Sequence, residues 1–124
     1  MPMKNIEIKH AIVRINSEFN LQVLIFNELA KELKHLGFSV FGEVRLLDKY
    51  RPAPNKPRKI KARLDIAVFK KKTLICAIEV KRKRSKGARK QIKKYKDLGI
   101  PKVFLCKNFK DTKNIICFCK RKII

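Results

Sequence analysis

Apolar residues in the first third of the chain recur every three or four positions, as they do on one face of an amphipathic helix. Asn16 or Ser17 can cap the start of this helix, and Gly37 supplies an end. The pattern predicts a first helix over about residues 17–36, whereas residues 6–15 have a mixed pattern that fits no single element. The residues that set the helical period are Leu21, Leu24, Ile25, Leu29, Leu33 and Leu36.

Short apolar runs dominate the rest of the chain and are typical of strands. The run at residues 74–80 is almost entirely apolar, so we expect it to form a central strand that is covered on both faces. The four residues 70–73 form a tight connection before it, which predicts a hairpin with the preceding strand. A second helix should cover about residues 86–98. The expected strands are residues 40–47, 62–69, 74–80, 102–106 and 114–119.

These elements follow the order α-β-β-β-α-β-β, and 124 residues suit one domain spanning 1–124. We therefore predict an α/β fold with a central mixed sheet of four to five strands flanked by helices. Residues 48–61 contain three prolines and many basic residues without apolar periodicity. This segment should be a long, basic, mobile loop.

Positive charge is concentrated in the middle of the chain. Residues 49–94 contain 19 Lys and Arg but only two acids, whereas residues 1–48 contain six bases and six acids. The formal net charge of the whole chain is +23. Charge localised in this way predicts a surface that binds a polyphosphate partner.

The two acids of the basic segment, Asp65 and Glu79, lie inside apolar strand-like runs. Because side chains alternate along a strand, Ile75, Ala77, Glu79 and Lys81 should share one face. A tight hairpin places the start of one strand opposite the end of the next, so Asp65 and Glu79 should lie close together. Paired carboxylates surrounded by positive charge are what a divalent metal ion at a phosphate requires.

Glu18 is the third candidate acid. It lies on the stripe of the first helix that also carries Leu21 and Ile25. An acid near a helix start can also serve only to complement the helix macrodipole. Both interpretations stay open for this residue.

These residues resemble the motifs of the PD-(D/E)XK nuclease superfamily. The matching positions are Glu18 on the first helix, Asp65 in one strand, and Glu79, Val80 and Lys81 in the next. The expected order of elements over about residues 17–106 is similar to the superfamily core. The resemblance implies a restriction-endonuclease-like core.

Two further segments extend the resemblance. Gln91 and Tyr95 look like the Gln-x-x-x-Tyr motif of RecB-type nucleases, and residues 91–105 look like virus-type replication-repair nucleases. In size and basicity the chain is similar to archaeal Holliday-junction resolvases. It departs from the pattern at Leu64, where many members have proline, and in the longer basic loop.

The resemblance implies a site for Mg²⁺ or Mn²⁺ and a division of roles around it. Lys81 would orient the attacking water or neutralise developing charge, and Gln91 would position the metal-site strand or a phosphate. Glu18 would ligate a second metal ion or hold a metal-bound water. The implied ligands are Asp65, Glu79, the Val80 carbonyl and Glu18.

Basic residues before Asp65 and after Glu79 should contact the phosphates of DNA. Such contacts position a nucleic acid without reading its sequence. A purely solvated charge run is the plainer interpretation of any single lysine cluster. The expected nucleic-acid contacts are Arg58, Lys59, Lys61, Arg63, Arg82, Lys83, Arg84, Lys86, Arg89, Lys90 and Tyr95.

The favoured function is a metal-dependent DNA endonuclease that hydrolyses phosphodiester bonds, structure-selective in the manner of a junction resolvase. Symmetric cutting of two strands implies a homodimer. The alternatives are a repair or restriction-type nuclease of the same fold and a non-catalytic basic nucleic-acid-binding protein. RNA as the substrate also stays open.

Other features narrow the expected partners and compartment. We expect no small-molecule substrate. The chain has no Gly-rich phosphate loop, so nucleotide hydrolysis is not indicated. We also expect no membrane association, since neither a signal peptide nor an apolar run of spanning length is present. The location should be the reducing cytoplasm, with four free cysteines rather than a cluster or zinc site.

Overall fold

The computed structural model describes the backbone of residues 3–9, 11–49, 51–81 and 86–123, and their side chains except those of residues 3–8, 12–19, 86 and 88. A strand hairpin precedes a helix, three strands, a second helix, a fourth strand of the main sheet and a last helix. Short 3₁₀ turns cover Lys34–Leu36 and Phe109–Asp111. The elements are β1 (Met3–Ile8), β2 (Ala11–Asn16), α1 (Ser17–Leu33), β3 (Phe38–Leu47), β4 (Ile60–Lys70), β5 (Thr73–Val80), α2 (Lys86–Asp97), β6 (Val103–Cys106) and α3 (Thr112–Arg121).

The main sheet has the strand order β3-β4-β5-β6. The first three strands are antiparallel neighbours, and β6 runs parallel to β5. A parallel pair needs a crossover connection, and α2 supplies it. The predicted α/β fold, with a mixed sheet flanked by helices, is confirmed, and the described part of the sheet has four strands.

The predicted fifth strand over residues 114–119 is wrong, because this segment lies in α3. Thr112, Ile115 and Cys119 are buried, and their spacing of three and four residues is the period of a helix. Asn108 and Asp111 form a capping box just before the helix begins. A short apolar run therefore became one face of an amphipathic helix and not a strand.

Residues 6–15, which the sequence pattern left unassigned, belong to the β1–β2 hairpin. Its register runs from Met3 opposite Asn16 to Ile8 opposite Ala11, and it forms a two-stranded sheet apart from the main one. None of the helices in the part of the chain that the structure describes has the length and apolar character needed to cross a membrane.

Two apolar clusters cover the two sides of the main sheet. We call the cluster under α1 and α3 the α1 face and the cluster under α2 the α2 face. The strand β5 is buried from Cys76 to Val80, as its apolar sequence predicts. The buried residues of the α1 face are Leu21, Ile25, Leu29, Leu33, Phe38, Ile66, Val68, Cys76, Ile78, Val80, Cys106, Ile115 and Cys119. Those of the α2 face are Ala62, Leu64, Ala67, Ala77, Tyr95, Ile100 and Val103.

The β4–β5 hairpin turns tightly, as predicted, with Lys71 in the left-handed region at a φ of 56°. The register shifts beyond Val68, so β5 contains one extra residue near Ile75. Ile75 consequently packs against the α1 face, whereas Ala77 packs into the α2 face. The prediction that Ile75 shares a face with Ala77 and Glu79 is therefore wrong.

Candidate functional site

Asp65 lies at an irregular point of β4. Leu64 packs into the α2 face, whereas Ile66 packs into the α1 face. Residues two apart in a regular strand share one side, so the backbone must depart from regular alternation at Asp65. The half-buried Asp65 carboxylate turns toward β5, where its Oδ2 accepts a hydrogen bond from the Val80 N–H at 2.9 Å.

Glu79 is the second acid of the site and lies near the end of β5. Ile66 pairs with Ile78, and continuing this register by one residue places Asp65 opposite Glu79. The predicted proximity of the two acids is confirmed by the bond from Val80 to Asp65. Glu79 is only 3% exposed, and its Oε1 is buried without a hydrogen-bond partner among the residues described.

Burial and the neighbouring Asp65 carboxylate raise the pKa of Glu79 from 4.5 to about 7. Burial acts because a low-dielectric environment disfavours the ionised form, and a second negative charge adds to that effect. The nearby Tyr95 hydroxyl opposes the rise. Near neutral pH, Glu79 is thus held between its protonated and ionised forms.

Tyr95 and Gln91 form a hydrogen-bonded pair on α2 above the acids. The Gln91 side-chain amide donates to the Tyr95 hydroxyl at 2.7 Å, and this hydroxyl donates to the Arg63 carbonyl at 2.8 Å. Burial, with the charge of Glu79, raises the pKa of Tyr95. The hydroxyl also lies beside Glu79, whose Oε1 has no hydrogen-bond partner among the described residues.

Tyr95 was expected to contact nucleic acid, but its side chain is only 1% exposed. A ring this deeply buried cannot stack on a base or reach a phosphate. Its contacts instead fix α2 to the backbone of β4, two residues before Asp65. Tyr95 is therefore a positioning residue in the core of the α2 face.

A second polar link fixes Asp65 from the other side, and sequence reasoning missed it. The Gln22 side chain on α1 donates to Glu43 Oε1 at 2.8 Å and to the Asp65 carbonyl at 3.2 Å. Glu43 lies level with Asp65, because Gly42 pairs with Ile66 and Val44 with Leu64. It also has a φ of 54°, which is uncommon for a residue other than glycine. This left-handed position had no signal in the sequence.

Val80 and Lys81 follow Glu79 in the predicted acid-x-Lys pattern, and the structure describes both. Lys81 directly follows β5, is half-buried, and donates its backbone N–H to the Cys106 carbonyl at 2.9 Å. Glu18 lies on α1, but its side chain is outside the described residues. The same holds for Arg82, Lys83 and Arg84 as whole residues and for the side chain of Lys86.

The other basic residues expected to contact nucleic acid lie in the loop before β4, on β4 and on α2. Arg58 donates to the Asp48 carbonyl at 3.1 Å and to the Lys49 carbonyl, so its guanidinium closes the loop before β4. Lys61 forms an ion pair with Asp48 at 3.9 Å while staying half exposed. The exposed cations among the expected contacts are Arg58, Lys59, Lys61, Arg63, Arg89 and Lys90.

The cysteines lie elsewhere in the molecule. Cys76, Cys106 and Cys119 are buried in the α1 face as free thiols, and Cys117 is exposed on α3. Burial raises the pKa of Cys106 to about 12. Among the side chains that the structure describes, no group of three or more His, Cys, Asp or Glu residues is arranged to hold a metal ion.

Comparisons of this chain with protein-family models, with curated proteins and with solved structures find no match. The function therefore has to be argued from the site itself.

Proposed function

We propose that this chain is a metal-dependent DNA endonuclease with a restriction-endonuclease-like core. The observation that carries the proposal is the buried Glu79 carboxylate beside Asp65, in an otherwise basic region. Its Oε1 has no hydrogen-bond partner among the residues that the structure describes. Burying a carboxylate without a partner is unfavourable, so a structural role alone does not account for it. The order helix, three antiparallel strands, helix and parallel strand is compatible with the core that the resemblance implies.

The residues present fit a hard divalent cation. Asp65 uses Oδ2 for the Val80 N–H, which leaves Oδ1 for a cation. The neighbouring Glu79 carboxylate offers Oε1, which has no hydrogen-bond partner among the described residues. Carboxylate oxygens suit Mg²⁺ or Mn²⁺ better than Zn²⁺, which favours thiolate and imidazole ligands. A bound cation would also relieve the repulsion that raises the pKa of Glu79. Two described acids, with Glu18 as the proposed third, match the few carboxylates that Mg²⁺ uses.

Asp65, Glu79 and the Val80 carbonyl would hold Mg²⁺ or Mn²⁺, which would supply positive charge at the scissile phosphate and lower the pKa of a bound water. Lys81, directly after β5, would orient the attacking water or neutralise charge that develops on the phosphate. Gln91 and Tyr95 hold β4 in place through the Arg63 carbonyl, and Gln22 holds the Asp65 carbonyl. These bonds keep the acids aligned in the way that efficient catalysis requires.

Within this function we favour a structure-selective enzyme that acts on branched DNA as a homodimer and leaves a 5′-phosphate and a 3′-hydroxyl. The described residues form one main sheet and a two-stranded hairpin, and the candidate site lies on the main sheet. A repair or restriction-type nuclease of the same fold is the alternative. A non-catalytic binding protein explains the charge but gives no reason for a buried Glu79.

Cleavage of labelled four-way junctions and matched linear duplexes, with Mg²⁺, Mn²⁺ or EDTA, tests the proposal. We expect metal-dependent cutting by the wild type and none by Glu79→Gln, while the matched control Glu32→Gln on α1 retains cutting. Asp65→Asn should lose cutting yet keep or gain affinity for DNA. Tight, salt-sensitive binding without cutting under either metal would contradict the proposal.

A further inference from the structure

Three adjoining depressions form one concave surface on the α2 side of the molecule. The first, about 350 Å³, lies between β4 and α2 next to Arg63, Gln91 and Tyr95. The second, about 380 Å³, lies at the end of β3, and the third, about 440 Å³, lies along α2. Lys61 lines the first and second, Lys94 the first and third, and Leu98 the second and third. We call this continuous surface the α2 groove.

The α2 groove is strongly cationic, and its first depression is lined by Tyr95, a neighbour of Glu79. Seven exposed Lys and Arg residues line it, against two acids, Asp48 and Asp97. Asp48 is itself engaged by Lys61. Arg63 and Tyr95, which line the first depression, are joined by the hydrogen bond next to Glu79. Neither acid lines the three depressions, so a chain of phosphates in this groove would pass one side chain away from Glu79.

The groove also has an apolar floor. Leu47, Ile60 and Leu98 are 52%, 40% and 38% exposed, and all three line the groove. A duplex presents phosphates and sugars to a protein surface and keeps the faces of its bases stacked inside. An unpaired strand presents both phosphates and apolar base faces, and this combination matches cations beside exposed apolar side chains.

From these features we propose that the α2 groove binds an unpaired nucleic-acid strand that adjoins the Asp65–Glu79 site. The inference deepens the proposed nuclease function and rests on it for the meaning of the site, but the binding it describes needs no metal ion. The substrate class that follows is DNA with a flap, a gap or an open branch.

The test measures the affinity of the full chain for an oligothymidylate and for a duplex of equal length in EDTA, over a series of salt concentrations. The double variant Leu47→Ala/Leu98→Ala should weaken binding of the single strand roughly 10-fold and binding of the duplex less than about 2-fold. Leu24→Ala is the matched control, because Leu24 is 55% exposed but lies on α1. Equal loss for both oligonucleotides, or a loss no larger than that of the control, would overturn the proposal.

A second pair of variants tests the cations. Lys90→Gln/Lys94→Gln should lower the slope of log affinity against log salt by about 1.4 for the single strand, since each lost phosphate contact contributes about 0.7. Lys110→Gln/Lys113→Gln removes the same charge from the exposed surface near α3 and serves as control. Indistinguishable slopes for the two double variants would count against the groove. So would a polyglutamate peptide that competes as well as an oligonucleotide of equal charge.

These results separate the groove from the nuclease. If the wild type cuts DNA but the leucine variants bind like their control, the proposed role of the α2 groove is wrong and the proposed nuclease function stands. If the wild type never cuts DNA but the leucine variants selectively lose single-strand binding, the role of the α2 groove stands and the nuclease function is wrong. If the double leucine variant does not fold by circular dichroism, Leu47→Ala alone carries the same test, because Leu47 is the most exposed of the three.

Discussion

The two faces of the central sheet differ in the side chains that they bury. The α1 face is filled by large aliphatic side chains and thiols, with Ile25, Ile66 and Ile78 fully buried. The strands contribute mainly small residues to the α2 face, among them Ala67 and Ala77, and this face accommodates the Tyr95 ring. Glu79 lies beside that ring. One face thus provides close packing, whereas the other keeps a buried acid in place at an energetic cost.

The largest effect should come from a cavity in the α1 face. Ile25→Ala removes a fully buried side chain, so we expect the free energy of unfolding to fall by roughly 2–5 kcal/mol. Urea unfolding measures the loss. The neighbouring Leu24→Ala, at a half-exposed position, should change stability by less than about 0.5 kcal/mol. Similar losses for both variants would show that the α1 face is not the main source of stability.

On the α2 face, removal of a charge should stabilise the fold. The pKa of Glu79 is raised from 4.5 to about 7, so the folded chain favours the protonated form. The cost is absent below about pH 4.5, where Glu79 is protonated in both states, grows as the pH rises, and is complete above about pH 7. In EDTA, Glu79→Gln should therefore gain at most about 3 kcal/mol at high pH and nothing near pH 4. A gain that does not vary with pH would contradict this account.

A divalent metal ion should offset the loss of stability that ionised Glu79 causes in the folded chain. Adding Mg²⁺ at high pH should raise the melting temperature of the wild type, because a ligand that binds only the folded state stabilises it. Glu79→Gln should show a much smaller rise, whereas the control Glu32→Gln should follow the wild type. Equal rises in all three proteins would place any Mg²⁺ binding away from Glu79.

A smaller loss is expected from Tyr95→Phe. The change removes the hydroxyl that donates to the Arg63 carbonyl and accepts from Gln91, at a cost of about 1–2 kcal/mol. It also removes the neighbour that opposes the raised pKa of Glu79, so this pKa should rise further. Urea unfolding and a titration of Glu79 by NMR check the two effects. An unchanged pKa would mean that the hydroxyl acts only through the backbone of β4.

The smallest effect concerns Gly42, where β3 meets α1. A methyl group added there would meet the Phe26 ring at 3.6 Å, an ordinary packing distance, and the backbone is not left-handed. Gly42→Ala should be neutral or stabilise by up to about 1 kcal/mol, because it reduces the freedom of the unfolded chain. Thermal unfolding measures the change. A clear loss would show that the junction of α1 and β3 has no space to spare.

Sequence periodicity predicted the elements that build the site because their signals are local. The leucine stripe of α1, the tight turn before β5 and the apolar β5 itself each specify one element. The hairpin then brings Asp65 and Glu79 together by geometry alone. The acid pair could therefore be predicted without any knowledge of tertiary packing.

The sequence-based predictions were wrong or incomplete where tertiary packing determines the structure. Residues 114–119 are apolar and β-branched enough to resemble a strand, and a short apolar run does not distinguish a strand from a buried helix. The burial of Tyr95 and the bonds of Gln22 depend on how α2 and α1 pack on the sheet. The extra residue near Ile75 likewise has no signal in the sequence pattern. Long-range contacts of this kind leave no local trace.

The left-handed backbone at Glu43 affects how readily the edge of the main sheet can pair with another chain. It interrupts β3, which is an outer strand of the main sheet and also exposes Phe41. A regular, apolar outer strand invites other chains to extend the sheet, and a charged, kinked residue in its middle discourages this. The Glu43 position that bonds Gln22 thus also makes the outer edge of the sheet a poorer template for another strand.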